Sequence, residues 1–217
     1  IGGEIAELPG MYHPGEYDLV GFIVGWVDRK KVVDGSKITP GNVLIGLPSS
    51  GLHTNGYTLA RKICFEIAGL RCEEEVPGVG RTVAEALLEP HRSYVKLIQK
   101  LAEVVEIKGM AHITGGGITD NLPRILPEGL CAAVHLGSWQ SPPIFRFLQE
   151  TGCISPEEML RTFNMGVGFL IVIDGRDTDQ ALECLRQAGE KPRVVGKIIE
   201  GEPKVRYTGN LQYGAPD

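Results

Sequence analysis

Several things are missing from this 217-residue chain, and each absence narrows what it can be. No apolar run approaches the roughly 20 residues that a membrane helix needs. No long basic run is present and the net charge is −5, which argues against nucleic acid as a partner. The five cysteines (Cys64, Cys72, Cys131, Cys153, Cys184) are odd in number and widely spaced, with no C-x-x-C pair. That pattern speaks against a disulfide framework or a zinc ribbon and for a reducing compartment, the cytoplasm. The start, Ile1-Gly2-Gly3-Glu4, has neither the basic opening nor the apolar middle of a signal peptide. It reads as the inside of a strand–turn, so a truncated chain is expected.

The common nucleotide and hydrolase motifs are also missing. Val195-Gly196-Lys197 is followed by Ile198 rather than Ser or Thr, so it is no Walker loop. No G-x-G-x-x-G opens a helix, and neither H-E-x-x-H nor G-x-S-x-G occurs. A nucleotide would have to be held by other means.

What is present is an ordinary globular composition, 42% apolar and 23% charged. Val20 to Val27 has the pattern of a buried strand, as does Val43 to Leu47. Helices are expected over Tyr57–Ala68 (Leu59, Ile63 and Ile67 forming one stripe), Tyr94–Val105, Pro143–Glu150 and Thr178–Ala188. Another opens at Ser155-Pro156-Glu157-Glu158, with Ser as N-cap and Pro at N1. Strands are expected over Val167–Ile173, Val194–Ile199 and Lys204–Tyr207. Cys64 and Cys184 fall on apolar helix stripes and read as core. Strands and helices mix without regular βαβ repetition, so the fold class is α+β rather than doubly wound. The polar segment Lys30–Gly41 is the best domain junction.

Two loops stand out. Thr114-Gly115-Gly116-Gly117 follows the apolar run Met110–Ile113 and precedes a helix-like run, Ile118 to Leu126. Three glycines remove every Cβ from the turn, and the unpaired N–H groups at a helix start favour an anion such as phosphate. Asn121 lies one turn on, at the same end. The second loop is Ser49-Ser50-Gly51-Leu52-His53-Thr54-Asn55-Gly56. Its hydroxyl and amide groups either donate to a phosphate or cap the following helix. His53 either acts as acid, base or charge stabiliser or merely ties down the loop. His112, in an apolar strand, reads as a satisfied core histidine, and His13, His91 and His135 as surface residues. Glu4 and Glu7 could hold Mg²⁺ or form a solvated acidic turn. In Phe163-Asn164-Met165-Gly166-Val167-Gly168 the glycines imply close backbone approach to a ligand or to packed structure.

Taken together and in order, Gly2-Gly3-Glu4 with Ala6 to Tyr12, Ser49 to Tyr57, His112 to Gly117, Asn121 to Arg124 and Arg161 to Gly168 resemble the phosphoribosylformylglycinamidine cyclo-ligases. The resemblance runs from Ile1 to about Tyr207. It implies ATP- and Mg²⁺-dependent closure of an imidazole ring, from formylglycinamidine ribonucleotide to aminoimidazole ribonucleotide, through a phosphorylated amide. It implies a cytoplasmic homodimer whose first domains pair into a barrel. Residues 1–33 would be the end of that first, ATP-binding domain and 34–217 the second domain. On this footing His53 would be the catalytic residue. Ser49, Ser50, Gly51, Thr54, Asn55, Thr114, Gly115, Gly116, Gly117 and Asn121 would bind substrate or phosphate, and Glu4 would help place Mg²⁺. The fragment alone would be inactive. The competing readings are a small-molecule kinase or phosphotransferase of the same superfamily, and a non-catalytic ligand-binding or dimerisation module.

Overall fold

The computed structural model of the chain describes residues 12–215. The chain divides into two units after Val32. In the first, the apolar run 20–27 departs from expectation. It carries no strand, and Leu19, Val20, Phe22, Ile23 and Trp26 are each more than 90% exposed. The sequence has a strand pattern there, but a strand forms only as part of a ladder, and among the described residues nothing pairs with it.

The second unit is built on a six-stranded sheet in the order β2-β5-β1-β6-β3-β7. Its strands are β1 (Val43–Pro48), β2 (Ile107–His112), β3 (Leu130–His135), β5 (Val167–Ile173), β6 (Arg193–Glu200) and β7 (Val205–Thr208). Neighbours run antiparallel except β3 and β7. Two short strands, β4 (Gln140–Ser141) and β8 (Gln212–Tyr213), pair separately. The mixed, mostly antiparallel sheet agrees with the α+β expectation.

Alternation along the central strands explains the layers. Leu44, Leu170 and Val172 face one core, while Ile45, Leu47, Ile171 and Ile173 face the other. The smaller core is closed by α3 (Val95–Leu101) and α7 (Thr178–Gln187), through Leu101, Ala181, Cys184 and Leu185. The larger is closed by α1 (Tyr57–Arg61), α2 (Val83–Leu87), α4 (Gly117–Asn121), α5 (Pro143–Gly152) and α6 (Pro156–Thr162). β1 and β5 are covered on both faces, which is why they read as continuous apolar runs rather than alternating ones. Cys64 and Cys184 are buried as expected.

Local chemistry explains most boundaries. Thr82 caps α2 in a reciprocal capping box with Glu85. Ser155 caps α6 by accepting from the Glu158 N–H, with Pro156 in the first turn. A helix and a strand in this unit also differ from expectation. The helix begun by α1 continues over Lys62–Ile67 with π winding. That winding carries Ile67 out of the stripe, leaving it 52% exposed. The strand β3 has no strand signal in the sequence, because Cys131-Ala132-Ala133 lacks β-branched residues; its pairing with β6 and β7 overrides the weak propensity. Among the described residues no helix is long and apolar enough to cross a membrane.

Candidate active site

The loop 49–56 leaves β1 and enters α1, and a residue more than a hundred positions away holds it in shape. Asn164 accepts from the Ser49 hydroxyl (2.9 Å) and from the Gly166 N–H (2.8 Å), and donates to the Gly51 carbonyl (2.8 Å). Asn164 is buried, so these bonds are made away from competing water. The next residue, Met165, sits in the left-handed region at φ 50°, and its carbonyl accepts from both Trp139 Nε1 and Ser141 Oγ at 2.8 Å. The Phe163 ring lies where a Cβ on Gly56 (φ 76°) would fall. Gly168 likewise has no room for a Cβ, because the Tyr94 hydroxyl and the His53 ring occupy that space. The close approach expected for this glycine motif is therefore to packed structure, Tyr94 and His53 at Gly168 and Pro142 at Gly166.

His53 is buried, and its own backbone is left-handed at φ 59°. For a non-glycine residue this costs on the order of 1 kcal/mol, which the surrounding bonds must hold in place. Its Nε2 accepts from the Ser50 N–H at 3.1 Å. Its Nδ1 is buried with no partner. Burial, followed by the nearby His91, His112 and Arg92, pushes the imidazole pKa down to about 4. At neutral pH the ring is therefore uncharged. Because Nε2 is the acceptor, the single proton sits on Nδ1. The result is a dry, immobilised N–H donor without an acceptor.

Two further histidines adjoin it, contrary to expectation. The His91 ring stacks on His53 with centroids 4.0 Å apart and planes 18° from parallel. His91 Nε2 lies 3.0 Å from His112 Nε2, and His91 Nδ1 lies 3.3 Å from Thr54 Oγ1. His112 is not the satisfied core histidine its strand suggested. It ends β2 on the exposed side of the alternation, and burial with its histidine neighbour lowers its pKa. Nothing in the sequence near His91 signals its position. It is carried there by Pro90–Tyr94, which is fastened by three bonds. Ser50 Oγ donates to the Pro90 carbonyl (2.7 Å), Tyr94 Oη donates to the Pro48 carbonyl (2.8 Å), and Arg92 pairs with the buried Glu190 while lying over the Tyr94 ring. Asn164, Arg92 and Tyr94, together with His91, are the site residues that sequence reasoning missed.

The triple-glycine turn is adjacent, since Asn55 Oδ1 lies 3.5 Å from where a Gly115 Cβ would stand. Its polar groups are largely satisfied from within. Asn121 Nδ2 reaches the Gly115 (3.1 Å) and Gly117 (2.8 Å) carbonyls, and Thr114 Oγ1 donates to Asn121 Oδ1 at 3.1 Å. Gly116 and Gly117 take positive φ, and a Cβ on Gly117 would collide with the Leu160 carbonyl. Packing thus accounts for two of the three glycines, and only Gly115 leaves open space. The expected helix from Ile118 to Leu126 is five residues of α-helix followed by a 3₁₀ turn, Leu122–Ile125. Its macrodipole is correspondingly weak.

The structure brings Ser49, Ser50, Gly51, His53, Thr54, Asn55 and the turn Thr114–Gly117 with Asn121 into one neighbourhood. Glu4 lies outside the described residues. Residues 39–208 match the family described as AIR synthase related protein, C-terminal domain. The chain belongs to that family. It is 46% identical over 205 residues to the phosphoribosylformylglycinamidine cyclo-ligase of Alkaliphilus metalliredigens, covering 94% of this chain and 59% of that protein. It is 51% identical over 203 residues to the Geobacter sulfurreducens cyclo-ligase, covering 94% and 58%. The chain thus spans about 60% of the length of these relatives. Among solved structures the fold is similar to thiamine-monophosphate kinase of Stenotrophomonas maltophilia (TM-score 0.56, 14% identity, 84% of this chain and 55% of that one). It is also similar to the E. coli hydrogenase maturation protein HypE (TM-score 0.52, 19% identity, 81% and 48%).

Proposed function

We propose that this chain is the C-terminal part of a phosphoribosylformylglycinamidine cyclo-ligase. In that protein residues 34–217 would form the second domain and residues 1–33 the end of the first. The reading is carried by identity of about half the residues to cyclo-ligases along nearly the whole chain. The reaction would close the imidazole ring of formylglycinamidine ribonucleotide, giving aminoimidazole ribonucleotide, ADP and phosphate.

The chemistry suits the site. An amide oxygen is a poor leaving group, and phosphorylation by ATP, the second substrate, makes it a good one. The amidine nitrogen then attacks the activated carbon, and phosphate departs. His53 has a neutral Nδ1–H held rigid in a nearly dry setting. It would donate to the oxygen on which charge develops, without reorganising as the step proceeds. A ring with so low a pKa is a stabiliser rather than a carrier of positive charge at neutral pH. Ser49 to Asn55 and the turn Thr114–Gly117 would line the phosphate-bearing side, with Gly115 giving the backbone access. Asn121 and Thr114 would act by keeping that turn in shape.

Magnesium prefers carboxylate and water oxygens in octahedral array. Among the described residues the one cluster of three ligating groups is His53, His91 and His112, all nitrogen donors. These residues do not fit Mg²⁺; Glu4 remains the proposed contributor. Assembly as a homodimer in the cytoplasm belongs to the same proposal.

The test is steady-state kinetics of His53→Ala in the full-length protein, with aminoimidazole ribonucleotide as the product measured. We expect kcat to fall at least 30-fold, the scale of one lost preorganised donor being roughly 10²-fold. A loss below threefold would remove His53 from catalysis. Formation of a phosphorylated vitamin in place of the imidazole would favour the kinase reading.

A further inference from the structure

We propose that His53, His91 and His112 form a binding site for a divalent d-block metal ion such as Zn²⁺ or Co²⁺, distinct in chemistry from any Mg²⁺ the reaction uses. One nitrogen from each of the three lies within 4.8 Å of the others. Imidazole nitrogen suits this class of ion, and three histidines with one open position are an established ligand count for it.

Two independent observations point to a ligand. The first is the orphan, buried Nδ1 of His53, a residue only 3% exposed. A buried polar atom without a partner is uncommon in a folded protein and asks for one. The second is the separation of 3.0 Å between His91 Nε2 and His112 Nε2. Two imidazole nitrogens so close must share a proton, and a cation can replace it. With metal–nitrogen bonds of about 2.0–2.1 Å, ligand nitrogens in a tetrahedral site stand about 3.3 Å apart, a spacing close to that of the pair. Among the described residues no cationic side chain is hydrogen-bonded to any of the three rings.

One movement is required. A metal lies in the plane of each ligating ring, whereas His91 and His53 are stacked face to face. His91 must therefore turn out of the stack. Being exposed at the surface, it can do so without disturbing the core. His53 and His112 are fixed by the loop and by β2. Thr54 Oγ1, already beside His91, or a water would complete the shell. An ion there would occupy the His53 Nδ1 by displacing its proton, removing the donor described above. The site would therefore make the protein sensitive to inhibition by such ions. That consequence rests on the proposed role of His53; binding itself does not.

The experiment is equilibrium dialysis and visible absorption of the purified chain with Co²⁺ alone, in the absence of substrate. We expect one ion per chain, a d–d spectrum without thiolate charge transfer, and at least tenfold weaker binding in both His91→Ala and His112→Ala. His135→Ala, away from the cluster, serves as the control and should bind as the parent does. Circular dichroism of each variant establishes that it is folded. Failure to bind Co²⁺, equal binding by the folded His91→Ala variant, or a spectrum dominated by sulfur charge transfer would each overturn the proposal. In His53→Ala of the full-length protein, loss of Co²⁺ binding with retained aminoimidazole synthesis would keep the metal site and discard the catalytic role of His53.

Discussion

The two glycine-bearing loops lie side by side, yet they are held in opposite ways. The turn 114–117 is braced locally, by an asparagine four residues beyond it whose amide answers the loop's own carbonyls. The loop 49–56 is braced from afar, by Asn164, Pro90 and Tyr94, and still leaves one buried donor unanswered at His53. Since buried polar groups are nearly always paired, a loop whose carbonyls are answered from within explains much of itself as structure, whereas an orphan buried side-chain group asks for a ligand. In the proposed reading the triple glycine serves packing at Gly116 and Gly117 and access at Gly115, and His53 supplies the spare N–H.

The contrast can be broken first at Asn164. Asn164→Ala deletes three buried hydrogen bonds and leaves their partners unsatisfied, so unfolding in urea is expected to lose about 3–5 kcal/mol. A loss under about 1 kcal/mol would mean the long-range brace does not hold the loop. Next come the glycines. Gly117→Ala must relieve a collision with the Leu160 backbone from a left-handed residue, at about 2–4 kcal/mol. Gly115→Ala meets only Asn55 Oδ1 at ordinary contact distance and should cost less than about 1 kcal/mol. In the full-length enzyme, however, Gly115→Ala should raise KM, which Gly117→Ala cannot report if it fails to fold. Equal stability losses at the two positions would erase the distinction between packing and access.

A smaller effect is set by pH. The folded-state pKa of His53 lies near 4, below the ordinary 6.5, and that of His112 is lowered too. The unfolded chain therefore binds more protons than the folded one between these limits. Stability contributed by the neutral rings is complete above about pH 6.5 and declines as pH falls toward 4. Urea midpoints measured at pH 7 and pH 5 should differ in that direction, and the difference should shrink in His53→Gln.

Much of this was legible beforehand. The apolar runs of β1 and β5, the Ser155 cap and the α+β class follow from local pattern. So does the attention drawn to Ser49–Asn55, His53 and the triple glycine. What escaped was non-local. His91 has no motif, and only the fastening of Pro90, Arg92 and Tyr94 carries it onto His53. His112 looked buried because its strand is apolar, but the pleat turns it outward. Asn164 stood inside a motif noticed for its glycines, while its own amide does the bracing. The run 20–27 shows the converse, a strand pattern with no ladder among the described residues.

The most direct measurement is the ¹⁵N spectrum of the His53 ring at pH 7, followed as pH is lowered. A neutral ring protonated on Nδ1, with Nε2 unprotonated and no titration until well below pH 6, is the predicted result. A proton on Nε2, or titration near pH 6.5, would contradict the buried, unpartnered donor on which the account of this site depends.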